Sequence, residues 1–438
     1  MFNLYLDNFR NFYNTHIPIK DVNFLVGENS SGKTSVLNVL ELIGNYQFWF
    51  GEFKFFNESV DMRLFNDIVN PNSQNKIQFK IGFYFDESEN IIISKRKSNT
   101  INIAILKFKN KNGIPNISEI NFSIDNLVIN LQMFDNSIIC SYKFSKFKKP
   151  KKFLKYCINQ IPNSSYPKKI EIKNYINNLG LFYNINEILS NINKKEMAGK
   201  RLLLNKRIFP INSPVWISPI RTKPQKTYDK YFESYSSEGE HTPYELNKIL
   251  KNKNFKNALN KFGTESGLFN SIESISYNEE MYSPFQILIN LDGKEYNFVN
   301  VGYGVSQILP ILTEIFKTSF NNWFLIQQPE VHIHPRAQAE LGELFFEQSF
   351  NYEKKRKFII ETHSDYIIDR FRVQLRKYYK KKKVELKENN TQILFFKRSK
   401  LRNKIYPIGI DNDGNYSKNQ PKSFRDFFIK ESMRILGL

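Results

Sequence analysis

Cysteine is almost missing from this 438-residue chain. Cys140 and Cys157 form neither a metal-binding spacing nor a disulfide framework, so the fold must be held by its core. Long apolar runs are missing as well. No stretch approaches the roughly 18–20 apolar residues that a membrane span requires. The first residues, MFNLYLDNFRNF, lack a basic-then-apolar leader and read directly as a strand. These absences set the expectation of a cytoplasmic protein with no membrane partner. Acidic residues are under-represented too, 43 against 64 Lys and Arg, for a formal charge of +21. The excess is concentrated: residues 143–207 hold 16 basic and 3 acidic residues. A cluster of that kind suits phosphate contact and counterion release, which makes double-stranded DNA a candidate partner. A solvated helical face that touches nothing is the other reading.

The patterns that are present suggest a mixed α/β chain. Phe2–Phe9, His16–Ile19 and Val22–Val26 read as strands, and Thr34–Ile43 carries apolar residues at helical spacing. Residues 77–124 alternate and are rich in turns, which predicts an antiparallel meander. Residues 144–206 read as mainly helical. Strand patterns return at Trp323–Ile326, Phe358–Ile360 and Gln392–Phe396. The simplest division is 1–142, a basic insertion at 143–210, and 211–438. The first and last parts together would form one folded head.

Gly27-Glu28-Asn29-Ser30-Ser31-Gly32-Lys33-Thr34 fits G-x-x-x-x-G-K-[ST], with an apolar strand before it and an amphipathic helix after it. Two glycines permit a tight turn that presents backbone N–H groups to phosphate oxygens. Lys33 is expected to reach the terminal phosphates of ATP and the Thr34 hydroxyl to ligate Mg²⁺. The nucleotide contact would extend into the helix at Ser35.

Small GTPases and kinases share this loop, so later motifs must choose. Leu6-Asp7-Asn8-Phe9-Arg10-Asn11-Phe12, ahead of the loop, resembles the opening of RecF, SMC and overcoming-lysogenization-defect (OLD) ATPases. Val301-Gly302-Tyr303-Gly304-Val305-Ser306-Gln307 resembles their ABC signature. Phe324-Leu325-Ile326-Gln327-Gln328-Pro329-Glu330-Val331-His332-Ile333-His334 stands where Walker B and the D-loop belong, and Ile360-Glu361-Thr362-His363-Ser364 resembles the switch-histidine strand end. Trp216-Ile217-Ser218-Pro219-Ile220-Arg221 and the tail from Phe395 are similar to a bacterial OLD-like subgroup found in phage-defence loci. The resemblance implies an ABC/SMC-type head that binds ATP and Mg²⁺ and closes as a homodimer on nucleotide. It further implies an effector partner, a nuclease or toxin. In such heads Gly302, Gly304, Ser306 and Gln307 face the γ-phosphate held by the other subunit. Arg10 lies on the phosphate side or at the interface, and His363 reports the γ-phosphate. Arg221 is expected in the same role as Arg10, since the turn Ser218-Pro219-Ile220-Arg221 would hold it on a fixed loop. Ser364 can cap the next helix.

One departure bears on catalysis. The usual Mg²⁺-binding Asp and water-activating Glu are replaced by Gln327 and Gln328. An amide orients water but accepts no proton at neutral pH. Losing a general base costs about 10²–10⁴-fold, taking an ordinary turnover of about 10 s⁻¹ to roughly 10⁻¹–10⁻³ s⁻¹. Glu330 is the carboxylate left in that stretch. Three functions remain open: a DNA- or phage-sensing regulatory ATPase, a scaffold that binds nucleotide without hydrolysis, and a RecF-like repair clamp.

Overall fold

The computed structural model describes residues 2–50, 53–73, 76–85, 101–124, 127–135, 137–144, 168–173, 189–190, 192, 211, 213–229, 234–278, 283–318, 322–350, 355–382, 390–399, 402–418, 420–424 and 426. The chain forms two compact units, each assembled from separated segments. The first holds 1–20, 30–213 and 398–405; the second holds 21–29, 214–397 and 406–438.

In the first unit, β1 (Phe2–Asp7) and β2 (Thr15–Ile19) pair antiparallel at one side of an eight-stranded sheet. The second unit contributes the next strand in the chain, β3 (Val22–Gly27). Helices α1 (Lys33–Gly44), α2 (Tyr46–Phe50) and α3 (Phe65–Ile68) follow in the first unit. The sheet then continues through β4 (Gln78–Phe85), β5 (Ile101–Lys111), β6 (Ile114–Ile124), β7 (Leu127–Met133), β8 (Ser137–Phe144) and β9 (Lys168–Lys173). Its order is β2-β1-β4-β5-β6-β7-β8-β9, antiparallel throughout. The β5–β6 turn is Asn112-Gly113, both with positive φ, the backbone that a two-residue hairpin of this twist demands. Phe53, Phe55, Phe65, Phe79, Phe83 and Phe108 are buried in this unit, with Phe79 stacked on Phe108 at 5.2 Å between centroids. β9 lies where the sequence reading expected helix. Its Ile170 and Ile172 alternate with Lys169, Glu171 and Lys173, a period of two that prolongs the meander and pairs with Cys140 and Ile138. Most of the expected helical insertion, and with it most of the basic cluster, lies outside the described residues.

The second unit is built on the parallel strands that hydrophobic runs without alternation predict. Its strands are β3, β10 (Val215–Ile217), β11 (Ser271–Ser276), β12 (Phe285–Leu291), β13 (Lys294–Asn297), β14 (Trp323–Gln327), β15 (Lys357–Glu361), β16 (Thr391–Lys397) and β17 (Lys404–Gly409). Its helices are α4 (Thr242–Ile249), α5 (Lys253–Ser266), α6 (Tyr303–Lys317), α7 (Pro335–Phe350) and α8 (Asp365–Lys382). The main sheet has the order β10-β14-β15-β3-β16-β17, and its first five strands run parallel. A three-stranded antiparallel sheet, β11-β12-β13, stands apart from it. Phe24, Phe324, Phe345, Phe358 and Phe371 are among the buried side chains that seat α7 and α8 in this core. Gly342 lets those two helices approach closely, since a Cβ there would lie 2.2 Å from the Ile367 carbonyl oxygen.

Candidate functional site

In open sheets with parallel strands, ligands bind outside the carboxyl ends of the strands. At that end of the main sheet stand Gly27 of β3, Gln327 of β14 and Glu361 of β15. The strand order places β15 between the other two, with Gln327 in register with Glu361 and Glu361 in register with Leu25.

The loop after β3 is shaped by its glycines. Gly27 has φ +145°, and a Cβ on it would stand 2.1 Å from the Phe396 carbonyl oxygen of β16. Gly32 has φ +96°, and a Cβ there would meet the Phe12 ring at 2.5 Å. Ser30 also takes a left-handed backbone, at φ 60°. Glu28, Asn29 and Ser30 are exposed, while Ser31 and Lys33 are buried. Asn403 donates its side-chain amide to the Ser31 carbonyl at 2.7 Å, a tether with no signal in the sequence. The Ser31 hydroxyl is itself buried without a hydrogen-bond partner.

Gly32 caps α1 without any side-chain cap, and the first turn holds no acidic residue. The leading N–H groups of an α-helix have no intrahelical acceptor, and the helix dipole favours an anion there. Thr34 is exposed in that first turn. Ser35 is buried and accepts a hydrogen bond from Arg10 Nη1 at 2.7 Å. Arg10, held at φ 46°, also donates through Nε to the Asp67 carbonyl at 3.3 Å. Burial lowers its pKa, and the nearby Asp67 charge opposes that shift. The structure thus brings Arg10 and Ser35 together.

In the second unit, α6 starts in the same manner as α1. Gly302 is its N-cap, no side chain caps it, and its first turn has no acid. The Ser306 hydroxyl donates to the Tyr303 carbonyl at 2.7 Å, and Ser306 and Gln307 are both buried. The Gln307 amide nitrogen has no hydrogen-bond partner. Gly304 lies so close to the following motif that a Cβ would stand 2.9 Å from the His332 carbonyl oxygen. The Tyr303 and His332 rings meet edge-on at 4.8 Å. The signature-like turn and the segment 328–334 therefore pack as one body.

That segment is bent sharply, with Gln328 at φ 41° and His332 at φ 63°. The Gln328 N–H donates to the Glu361 carbonyl at 2.8 Å. The two oxygens of Glu330 each have a partner across on the β15 exit. One accepts from the Thr362 hydroxyl at 2.8 Å, the other from the His363 backbone N–H at 2.7 Å. Burial pushes the Glu330 carboxyl up, against the pull of the His363 N–H. Glu330 thus pins the β15 exit to the 328–334 turn. The His363 ring is exposed, and Ser364 accepts from the Ile367 N–H at 3.2 Å, capping α8. His332 and His334 are exposed as well. Among the described residues no group of three or more His, Cys, Asp or Glu is placed to hold a metal ion.

Two residues matter more in the fold than in the sequence reading. Arg221 is buried and donates through Nη2 to the Gln327 carbonyl at 3.1 Å, while its Nε and Nη1 have no partner. Burial draws its pKa down to about 10, opposed by the charge of Glu330. Glu361 is buried too, and its carboxylate accepts from the Gln327 side-chain amide at 3.3 Å. The strand pattern located Glu361, yet only the register shows which residue it faces.

A glycine-shaped phosphate loop at the carboxyl end of a parallel sheet, leading into an uncapped helix, defines a P-loop nucleotide-binding protein. The chain belongs to the AAA ATPase domain family, which matches residues 1–368, and membership implies ATP binding. No curated protein matches the chain. Among solved structures, it is similar to an SMC head bound to the C-terminal winged-helix domain of ScpA, at 11% identity, covering 93% of this chain and 97% of that one, with a TM-score of 0.44. It is also similar to the recombination mediator RecF with a bound ATP analogue, at 13% identity, covering 92% and 97%, with a TM-score of 0.30. No helix among the described residues is long and apolar enough to cross a membrane.

Proposed function

We propose that this protein is a nucleotide-gated switch: ATP and Mg²⁺ bind at the 27–35 loop, two copies close on the nucleotide, and turnover is slow. The carrying observation is the paired helix starts. Both α1 and α6 begin on a glycine with no side-chain cap and no acid in the first turn, the kind of helix start whose N–H groups and dipole favour phosphate oxygens. One set cradles the phosphates of its own nucleotide; the other, from Gly302, Gly304, Ser306 and Gln307, receives the γ-phosphate of the partner copy. Lys33 neutralises the terminal phosphates and Arg10 lies on the phosphate side. Thr34 and Gln327 are the Mg²⁺-side residues, a donor set of hard oxygens suited to an ion that keeps most of its ligands from water and phosphate. Gln328 orients water, Glu330 fixes the turn that carries it, and His363 meets the γ-phosphate.

The basic segment 143–207 supports double-stranded DNA as the input. The OLD-like sequence features support an output on an effector, a nuclease or toxin, in antiviral defence. A second reading, a scaffold that holds ATP without turnover, is favoured by the amides at Gln327 and Gln328.

The test is ATP binding by calorimetry and steady-state ATPase on one preparation, with and without DNA, using Lys33→Ala as control. The switch predicts ATP binding that weakens about 10- to 100-fold in the variant, the loss of a charged hydrogen-bond donor. It also predicts wild-type turnover of roughly 10⁻¹–10⁻³ s⁻¹. Absence of binding to the wild type would remove the proposal, and absence of any turnover would leave the scaffold.

A further inference from the structure

We propose that Glu361 supplies the acidic ligand on the magnesium side of the nucleotide, in place of the carboxylate that Gln327 lacks. The proposal rests on the nucleotide-site reading above and deepens it. Three features of the sheet carry it. First, Glu361 ends β15, which lies between β14, carrying Gln327, and β3, which leads into the phosphate loop. The β15 exit is fastened to β3 where the Thr362 N–H donates to the Leu25 carbonyl at 3.1 Å. Glu361 is therefore one strand nearer the phosphate loop than Gln327.

Second, the two side chains act as a pair. Gln327 and Glu361 are in register, 7% and 5% exposed, and the Gln327 amide nitrogen donates to Glu361 Oε2 at 3.3 Å. That orientation leaves the amide oxygen as the donor Gln327 can offer a hard cation. The pair presents one negative charge. The register and the hydrogen bond make the amide at 327 and the acid at 361 one unit. The negative charge is kept and moved one strand over.

Third, the other carboxylate of the motif is committed elsewhere, since both Glu330 oxygens hold the β15 exit. Glu361 is positioned by the same framework: its own carbonyl accepts from the Gln328 N–H at 2.8 Å, fixing it against the turn that carries the water-side residue.

The test reads metal affinity rather than turnover. Mn²⁺ binding to the full chain in the presence of ATPγS is followed by electron paramagnetic resonance, and ATPγS affinity is measured with and without Mn²⁺. Glu361→Gln is expected to weaken Mn²⁺ about 10- to 100-fold and to shrink the gain in nucleotide affinity that metal provides. The swap Gln327→Asp with Glu361→Gln returns the carboxylate to β14 and is expected to recover much of the lost affinity. A structural role for Glu361 would give no such recovery, and failure of the swap overturns the proposal. So does wild-type Mn²⁺ affinity in Glu361→Gln. Iron-directed cleavage of the wild-type protein, loaded with Fe²⁺ and ATPγS and treated with peroxide, needs no variant. Cuts at the ends of both β14 and β15 support the assignment, and cuts that spare the β15 end overturn it. If the wild type binds no ATPγS in either condition, the nucleotide-site reading itself has failed.

Discussion

At residue scale, the phosphate loop depends on backbone that side chains forbid. Gly27 and Gly113 both have positive φ, but only Gly27 has a wall against it, the Phe396 carbonyl oxygen 2.1 Å from where a Cβ would sit; Gly113 has nothing within 4 Å. Gly113→Ala should therefore cost about 1–2 kcal/mol, the penalty of left-handed backbone alone. Gly27→Ala adds displacement of β16 and should cost more. Paired thermal unfolding curves check the order, and equal losses would show that the wall yields. Lys33 illustrates how much of the site's layout was legible in the sequence: the motif predicted a glycine-shaped turn between an apolar strand and a helix, and Lys33 begins that helix. Asn403 and Glu361 were not legible, because their roles arise from a tether to the Ser31 carbonyl and from a strand register. Neither leaves a pattern within its own segment. Arg221 was read as a phosphate-side or interface residue on a fixed loop, and the fold places its guanidinium on the Gln327 carbonyl.

At the scale of elements, helix α7 carries an acidic group whose protonation is linked to folding. Glu340 faces Glu343 on its own helix, Glu265 on α5 and Arg370 on α8, the last at 3.8 Å. Burial first, then Glu343 and Glu265, push its pKa up to about 7, against the pull of Arg370. Because the folded state holds this proton more tightly than the unfolded chain, Glu340 favours the fold at low pH. That contribution is lost as pH rises from the ordinary carboxyl range through about 7. Glu340→Gln should match wild type near pH 4 and exceed it at pH 8. With screening by solvent the gain is on the order of 1 kcal/mol. Urea unfolding across that range checks the sign; a variant less stable at pH 8 would contradict it. The elements themselves were largely readable. Strands β3, β14, β15 and β16 and helix α1 follow from apolar runs and periodicity. Strand β9 was missed because a short Lys-Ile alternation was absorbed into a wider stretch read as helical. The interleaving of the two units could not be read, since it is set by which distant strands pair.

At the scale of the molecule, the proposed switch uses ATP to join two copies of the chain, and it rests on the ATPase family and the two helix starts without side-chain caps. In this account nucleotide provides the attraction, and replacement of the usual acids by Gln327 and Gln328 prolongs the joined state. Ser306 is buried at the start of α6, so Ser306→Arg both crowds that turn and blocks approach of a partner's phosphate. The most direct measurement is sedimentation velocity of the full chain with Mg²⁺ and ATP, beside Lys33→Ala and Ser306→Arg. The account predicts a shift from monomer to dimer with ATP in the wild type that persists through the run and is absent from both variants. A wild-type chain that binds ATP to saturation yet stays monomeric would contradict it.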